Sequence, residues 1–178
     1  MSTFFDRLKI MQTADAAYFA SKLFTDSFGV PFPVPREHCG LPIPTPPHLW
    51  HQYVALYKDA NDSIRTIGFC NWIRYGDMYL EGGMCVDRHF YRSLPKDEWR
   101  DCRGAGGIAQ LMMAAAANEL NDASAWFGYC GDRQAYLADL NAGYVPTRHK
   151  YLIVKWFKAL TAQQQDVLME AAARIGPF

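Results

Sequence analysis

The hydrophobic and polar positions of the N-terminal half predict a strand, a helix and three further strands. Residues 4–12 alternate loosely between the two classes, as a strand does. A helix follows up to Gly29, because residues 13–15 offer a cap and the next apolar residues recur at helical spacing: Ala16, Phe19, Ala20, Leu23 and Phe24. Residues 53–57 and 64–74 predict a hairpin around a polar turn, and residues 78–86 predict the third strand of the same antiparallel meander.

The C-terminal half opens on a glycine-dense turn that runs directly into a helix-forming segment ending near Leu120. Residues 123–130 predict a buried strand, residues 133–141 a helix stopped by Gly143, and residues 150–157 a final strand. Thr161 and Gln164 form a capping box for a last helix over residues 161–175. There is no internal repeat or change of composition, so we expect one α+β domain over residues 1–178.

Two connections and one strand carry additional information. Residues 30–47 hold seven prolines, which exclude a helix or central strand and predict a stiff surface loop or the wall of a cleft. Residues 87–102 alternate basic residues with aromatics, which favours a short amphipathic helix over the sheet edge; a surface that stacks on a nucleotide or base stays open. Gly82 and Gly83 predict a bulge in the third meander strand, or a place where a ligand or another backbone approaches.

Composition and charge narrow the function classes. The chain has 178 residues and 50% hydrophobic content, enough for the core of one domain. Eighteen basic residues balance eighteen acidic ones, so no global field attracts nucleic acid or an anionic membrane. The five cysteines are scattered without a CxxC pair, which indicates reduced thiols in a cytoplasmic setting. We find no apolar run of membrane-spanning length and no signal peptide, so we expect a soluble protein without a membrane partner.

The glycine-dense turn is the leading candidate for ligand binding. A turn that feeds directly into a helix leaves backbone N–H groups unpaired at the positive end of the helix dipole, where anions bind. Gly104, Gly106 and Gly107 lack a Cβ, so a pyrophosphate can come close to the backbone there. Arg103 adds a charge-assisted contact to such an anion.

Three segments together resemble the GNAT N-acetyltransferase superfamily. Residues 8–15 resemble its first strand and capped first helix, residues 103–107 its pyrophosphate turn, and residues 132–144 the late pattern that begins with Asn, passes a Tyr and ends in Leu-Gly-Phe. The resemblance implies a mixed, largely antiparallel sheet splayed at its middle, with acetyl-CoA or another acyl-CoA in the V-shaped gap, helices on both faces and an extra C-terminal helix. It assigns cofactor contacts to the following residues: Met84, Cys85, Val86, Arg103, Gly104, Ala105, Gly106, Gly107, Ile108, Ala109 and Asp132.

The chain departs from that pattern at three positions. The second Gly or Ala of the family's turn falls on Ile108, although Gly107 can substitute if the turn is shifted by one residue. Asp132 replaces an Asn that often touches the coenzyme, and Asp139 replaces a Tyr that often protonates the leaving thiolate. An ionised carboxylate cannot donate that proton, so Asp139 can act as a donor only if burial raises its pKa.

Transfer of an acyl group from a thioester to an amine needs a base, a proton donor and alignment of the two reactants. Glu81 is the leading base, because its place in the third meander strand is similar to that of the strand-four glutamate of histone-type acetyltransferases; the alternative is a solvated strand residue. Tyr136 is the tyrosine to test near the leaving thiol, because it precedes Asp139 by three residues on one helix and both can face one groove. Tyr129 and Tyr144 are alternative donors.

Other reactive side chains fit simpler interpretations. His38, Cys39, His48 and His51 match no standard zinc spacing, so we expect no metal site. Cys130 invites a nucleophile hypothesis, but a buried strand cysteine is more common. The aromatic and proline-rich residues 32–50 form either the acceptor pocket or a solvated loop.

The sequence therefore predicts an N-acyltransferase that moves an acetyl group from acetyl-CoA to the primary amine of a small molecule or protein. One alternative is a nucleic-acid modification protein like the phage Mom-type proteins, with residues 88–103 on the phosphates; the neutral net charge disfavours it. The other is a non-catalytic module that binds CoA or a related ligand, which Asp132 and Asp139 support. The oligomeric state stays open, with a dimer among the alternatives.

Overall fold

The computed structural model describes residues 3–32 and 49–178, and their central feature is one seven-stranded sheet. Its strands are β1 (Leu8–Gln12), β2 (Trp50–Lys58), β3 (Ile64–Tyr75), β4 (Met78–Val86), β5 (Ala125–Tyr129), β6 (Val145–Pro146) and β7 (Leu152–Trp156). The helices are α1 (Phe4–Arg7), α2 (Ala16–Phe28), α3 (Phe90–Ser93), α4 (Lys96–Gly104), α5 (Gly107–Glu119), α6 (Arg133–Asn141) and α7 (Ala162–Ile175).

The strand order is β1-β2-β3-β4-β5-β7-β6. Every neighbouring pair is antiparallel except β4 and β5, which run parallel. The predicted α+β architecture with a mixed, mostly antiparallel sheet is therefore confirmed. The single parallel pair matters for the site. β4 and β5 lie side by side only over part of their length, and beyond their last paired residues the two chains separate.

The alternation of side chains along β3 shows how helices cover both faces of the sheet. Phe69 packs with α2, and Ile73 belongs to the apolar cluster on which α7 lies. Cys70 and Trp72 point to the opposite face, where they join the core formed with α5. This second core is the larger one, and it also takes side chains of α4 and α6.

The glycine pair of β4 forms the predicted bulge. Met84 lies opposite Cys70 and Glu81 lies opposite Trp72, so Gly82 and Gly83 both stand against Asn71. Gly83 adopts φ +128°, a conformation that favours glycine. A Cβ on Gly82 would lie 2.6 Å from the side-chain amide of Asn71, so a larger residue there would force the buried Asn71 side chain to move.

Two elements differ from the sequence prediction. Residues 4–7 form α1 instead of the start of a strand, because Thr3 and Asp6 make a reciprocal capping box and the Phe4 side chain is fully buried. The two-residue strand β6 was missed, since Val145–Pro146 is too short for a periodic pattern and contains a proline. The predicted amphipathic helix of residues 87–102 is present as α3 and α4, with Glu98 and Cys102 buried on one side of α4.

The predicted interpretations of residues 33–48, including the proline-rich wall and the histidines at positions 38 and 48, lie outside the described residues. Among the residues that the structure does describe, no helix combines the length and the apolar character needed to cross a bilayer.

Candidate functional site

A groove opens where β4 and β5 separate. The two strands pair from Met78 and Ala125 to Glu81 and Gly128. Beyond that point β4 continues to Val86 paired only with β3, and the chain after β5 turns into α6. The resulting cavity has a volume of about 550 Å³. Its walls come from β4, the β5–α6 turn, α6 and the start of α5, including Glu81, Met84, Val86, Cys130, Asp132, Asp139, Gly106 and Ala109.

The free edge of β4 offers backbone groups to this groove. The Asp87 N–H donates to the Ile67 carbonyl on the β3 side at 2.8 Å. Because peptide groups alternate along a strand, those of Met84 and Val86 point to the opposite edge, where the pairing with β5 has ended. The Cys85 side chain turns away from the groove into the α2 core, where only 6% of the residue is exposed.

The glycine turn is shorter than the sequence predicted. Arg103 and Gly104 belong to the last turn of α4, which is completed by a bond from the Ala105 N–H to the Asp101 carbonyl at 3.1 Å. The Arg103 guanidinium lies over the Trp99 ring, 5.0 Å from its centroid. Gly106 is the N-cap of α5 at φ +88°, and Gly107, its first residue, has φ +84°. The left-handed backbone conformation of these two positions therefore favours glycine at both of them.

A tyrosine side chain occupies part of the start of α5. The Ile108 N–H donates to the Tyr91 hydroxyl at 3.1 Å, and a Cβ on Gly107 would lie 3.1 Å from the same oxygen. Burial raises the pKa of Tyr91, so the hydroxyl keeps its proton. The N–H groups of Gly107 and Ala109 have no intrahelical acceptor. The helix start thus presents two N–H groups and one phenolic hydroxyl, all of which can donate to an anion.

Two carboxyl groups lie at the base of the groove. Glu81 stands at the last paired position of β4, and its Oε2 accepts a hydrogen bond from the Tyr144 hydroxyl at 2.9 Å. Asp139 on α6 lines the same groove and is 7% exposed. Burial and the charge of Asp139 raise the pKa of Glu81 to about 8, and burial raises the pKa of Asp139 to about 6. Near pH 7 the proton that this pair retains therefore lies mainly on Glu81, and Asp139 is mainly ionised, so the raised pKa of Asp139 does not by itself make it the proton donor.

The Cys130 thiol lies beside this carboxyl pair. Its Sγ donates to the Asp132 carbonyl at 3.5 Å. Burial, followed by the charges of Asp139 and Glu81, raises the pKa of Cys130 to about 12. A thiol that stays protonated is a poor nucleophile. Cys130 nevertheless differs from the predicted buried strand cysteine, because it follows the end of β5 and is half-buried in the wall of the groove.

The remaining predicted residues are placed as follows. Asp132 is the N-cap of α6, and its carboxylate accepts from the N–H groups of Gln134 and Ala135 at 2.8 and 2.9 Å while facing the groove. Tyr136 does not share the groove with Asp139 as expected; it lines a neighbouring cavity. Tyr129 packs edge-on against Phe178, with ring centroids 5.7 Å apart. Ile108 is fully buried, and Ala105 lies in the α4–α5 connection.

One of the histidines considered for a metal site, His51, lies in the described part of the chain. Residues 3–32 and 49–178 contain no group of three or more His, Cys, Asp or Glu side chains arranged to hold a metal ion. His51 lies in β2 with its Nδ1 3.4 Å from the Gln12 amide nitrogen. Burial lowers the pKa of His51.

No protein-family model matches the chain, and no curated protein is significantly similar to it. Solved structures are similar over most of its length. The ribosomal-protein-S18-alanine N-acetyltransferase from Escherichia coli is 11% identical, with 87% of this chain and 97% of that chain covered and a TM-score of 0.47. A GNAT-family acetyltransferase from Bacteroides thetaiotaomicron is 12% identical, with 93% and 94% covered and a TM-score of 0.46.

A third similar structure, AtaTR bound with acetyl-CoA, is 14% identical, covers 92% of this chain and 98% of that chain, and has a TM-score of 0.43. Similarity at this distance does not define an activity, so the function of the chain has to be argued from its own groove.

Proposed function

We propose that the chain is an N-acyltransferase that transfers an acetyl group from acetyl-CoA to a primary amine. One observation carries the proposal: two carboxyl groups with raised pKa values, Glu81 and Asp139, lie at the point where β4 and β5 separate. Buried carboxyls without a compensating cation lower the stability of the folded state, so their presence in a groove favours a chemical role.

The walls of the groove suit an elongated ligand with an anionic end. The peptide groups of Met84 and Val86 can pair with the pantetheine arm along the free edge of β4. The N–H groups of Gly107 and Ala109, with the Tyr91 hydroxyl, can hold the pyrophosphate. A side chain on Gly107 would press on Tyr91, so the close approach at this helix start requires glycine. Acetyl-CoA, when bound, supplies an acetyl group activated as a thioester.

The carboxyl pair can move both protons of the reaction. Because the pKa values are raised to about 8 and about 6, the pair retains one proton near pH 7. The ionised member accepts a proton from the acceptor ammonium, and the protonated member donates to the sulfur that leaves. A C–N bond forms as the C–S bond breaks, and the nitrogen passes its second proton to the carboxylate that protonated the sulfur. The other carboxyl then releases its proton to water, so the products are the amide, the CoA thiol and one proton. The Tyr144 hydroxyl lowers the pKa of Glu81 and steadies its ionised form.

The binding step is tested by titrating the protein with acetyl-CoA in a calorimeter and by following its thermal unfolding. We expect saturable binding that Ala109→Glu weakens at least tenfold, because the new carboxylate stands at the start of α5 against the pyrophosphate. Ala114→Glu is the matched control, since Ala114 is exposed further along the same helix. Arg103→Glu has a smaller effect than Ala109→Glu, because Arg103 packs on Trp99.

Absence of saturable binding at millimolar acetyl-CoA would reject the cofactor assignment. Catalysis is measured separately as release of free CoA thiol in the presence of primary amines. Binding without thiol release from any amine would favour the non-catalytic module over the transferase.

A further inference from the structure

A second cavity adjoins the groove at the β5–α6 turn. It has a volume of about 470 Å³ and sits between the start of α6 and the segment that joins β6 to β7. Cys130, Gly131 and Asp132 line both cavities. The volume lies within the roughly 300–1,000 Å³ that small-molecule sites occupy. A ligand in this second cavity therefore borders on the groove that holds the carboxyl pair.

The second cavity concentrates positive charge in a chain whose formal net charge is zero. Arg133, Arg148 and Lys150 line it, and Asp132 is the one carboxylate among its described lining residues. The Asp132 carboxylate is already engaged by the N–H groups at the start of α6. His149 also lines the cavity, and its Nε2 lies 2.8 Å from the Glu170 carboxylate.

These cations fall into two groups. Arg148 is held by α7, with its guanidinium nitrogens 2.6 Å from carboxylate oxygens of Asp166 and of Glu170. Arg133 and Lys150 form no ion pair within the described ranges, 3–32 and 49–178. Arg148 therefore fixes the β6–β7 segment, whereas the charges of Arg133 and Lys150 are available to a ligand.

Two aromatic rings complete the wall. Tyr136 is half-buried on α6, and Tyr151 is exposed over 49% of its surface. The Lys150 ammonium lies 4.6 Å from the centroid of the Tyr151 ring, which keeps the cation close to an apolar surface. The left-handed conformation of Tyr151, at φ +69°, turns the chain sharply between the cation and β7. Rings beside free cations suit a ligand with an apolar body and an anionic end.

We infer that this second cavity holds the anionic end of the acceptor, so that the acceptor is a primary amine carrying a carboxylate or phosphate on a ring or short apolar body. The inference rests on the proposed function, because the amine has to reach the carboxyl pair across the shared Cys130–Asp132 border. Arg133 and Lys150 contact the anion, and Tyr136 contacts the body. A neutral amine of the same shape lacks the charge-assisted contacts and binds less tightly.

The test uses three probes of one shape: 4-(aminomethyl)benzoate, 4-(aminomethyl)phenylphosphonate and 4-methylbenzylamine. Their affinities for the full chain are measured by calorimetry without acetyl-CoA at low and moderate salt. We expect at least tenfold tighter binding of one anionic probe than of the neutral amine, and weaker binding as salt rises. The preferred anion distinguishes a carboxylate acceptor from a phosphate acceptor.

The variants locate the site. Arg133→Gln with Lys150→Gln abolishes the preference for the anionic probe, whereas Lys9→Gln, an exposed lysine on β1 at the far end of the sheet, preserves it. Both substituted residues are exposed, so thermal unfolding stays close to that of the unaltered chain. Equal affinity for all three probes, or an unchanged preference in the double variant, overturns the inference. Binding of transfer RNA that depends on Arg133 and Lys150, with no binding of the small anions, overturns it as well.

Failure of this inference and failure of the proposed function give different results. Anion binding without any binding of acetyl-CoA refutes the proposed function and leaves an anion site of another kind. Acetyl transfer that shows no preference for anionic amines refutes the inference and leaves the transferase in place. The Ala109→Glu variant separates the two sites, because it weakens acetyl-CoA binding without changing the affinity for the anionic probe.

Discussion

Two glutamates of this protein each accept a hydrogen bond from a tyrosine hydroxyl inside the fold, and they differ in the charge beside them. Glu98 on α4 is 5% exposed, accepts from Tyr57, and lies 3.2 Å from the Arg7 guanidinium. Glu81 on β4 accepts from Tyr144, has no cation within ion-pair distance in the described part of the chain, and faces Asp139.

The two glutamates therefore have opposite effects on stability. Glu98 stabilises the folded state through its ion pair, whereas Glu81 destabilises it when ionised. Arg7 neutralises Glu98 and ties α1 to α4, which stabilises the packing of the N-terminus. Glu81 receives no such compensation, so it retains a proton near neutral pH and costs stability whenever that proton is lost. Only the second arrangement supplies a group that can exchange protons with a ligand.

The largest expected effect is on catalysis. Glu81→Gln keeps the shape of the carboxyl pair but removes its proton exchange, so we expect the rate of CoA thiol release to fall by roughly 10²- to 10⁴-fold. The measurement is steady-state kinetics with saturating acetyl-CoA. Glu98→Gln, assayed at a temperature where it is folded, stays within a few-fold of the unaltered chain. Equal losses in the two variants would contradict the distinction between the two glutamates.

The next largest effect is on stability, and here the substitution of Glu98 has the larger cost. Glu98→Gln leaves Arg7 without its partner, and we expect the free energy of unfolding to fall by about 1–3 kcal/mol in urea denaturation. Asp26→Asn breaks an exposed ion pair with Lys22 and serves as the control, with an expected change below about 0.5 kcal/mol. A change as small in Glu98→Gln as in the control would show that the buried pair contributes nothing.

The stability of the Glu81 site should also depend on pH with a definite sign. Its pKa is raised from an ordinary 4.5 to about 8, so the folded state binds this proton more tightly than the unfolded chain does. The contribution of this bound proton to the free energy of unfolding is fully present below pH 4.5 and is lost as the pH rises through about 8. Glu81→Gln therefore stabilises the protein at pH 8.5 by about 2 kcal/mol, less than the full linkage value because the carboxyl keeps some contact with water.

The stabilising effect of Glu81→Gln vanishes near pH 5, where the natural carboxyl is itself protonated. Urea denaturation at the two pH values measures the difference. A constant difference between the two chains across this range would mean that the carboxyl does not titrate as described.

The smallest expected effect concerns the tyrosine of the groove. The Tyr144 hydroxyl lowers the pKa of Glu81, so Tyr144→Phe raises that pKa further and moves the alkaline limb of the activity profile upward by less than about one pH unit. The pH dependence of kcat/KM measures the shift. Tyr18→Phe is the matched control, because Tyr18 is 85% exposed on α2 and is not among the described residues that line the groove. A downward shift would reverse the role assigned to the hydroxyl.

Local patterns allowed much of the fold to be predicted from the sequence. The observed bounds of β4 and α6 match the predicted 78–86 and 133–141, because each is fixed by nearby turn and capping residues such as Asp132. The glycine-rich residues misled the prediction at α4, where Gly104 stays helical because the helix continues through the Asp101–Ala105 bond. Helix propensity at one glycine was outweighed by the packing of the rest of α4.

The site was only partly predictable for a different reason. Glu81 and Asp139 could be selected one by one, because their places on a predicted strand and helix resemble positions of the GNAT pattern. The bond that joins Glu81 to Tyr144 spans 63 positions of the chain, and no short-range pattern shows such a contact. Tyr91 was hidden in the same way, since its contact with Ile108 spans 17 positions and connects a helix of four residues to the start of α5. The aromatic content of residues 87–102 was the only indication of it.

The doubled glycine of β4 also decides which side chains share a wall. Glu81 and Met84 are separated by an odd number of positions, so in an uninterrupted strand they would lie on opposite faces of the sheet. Because two residues stand against Asn71, the alternation is reset, and both side chains line the groove while Cys85 enters the α2 core. Regular alternation of all these residues would instead place the Cys85 thiol, four positions after Glu81, beside the carboxyl and send Met84 to the other face, whereas deleting one glycine would remove the bulge and keep the present faces.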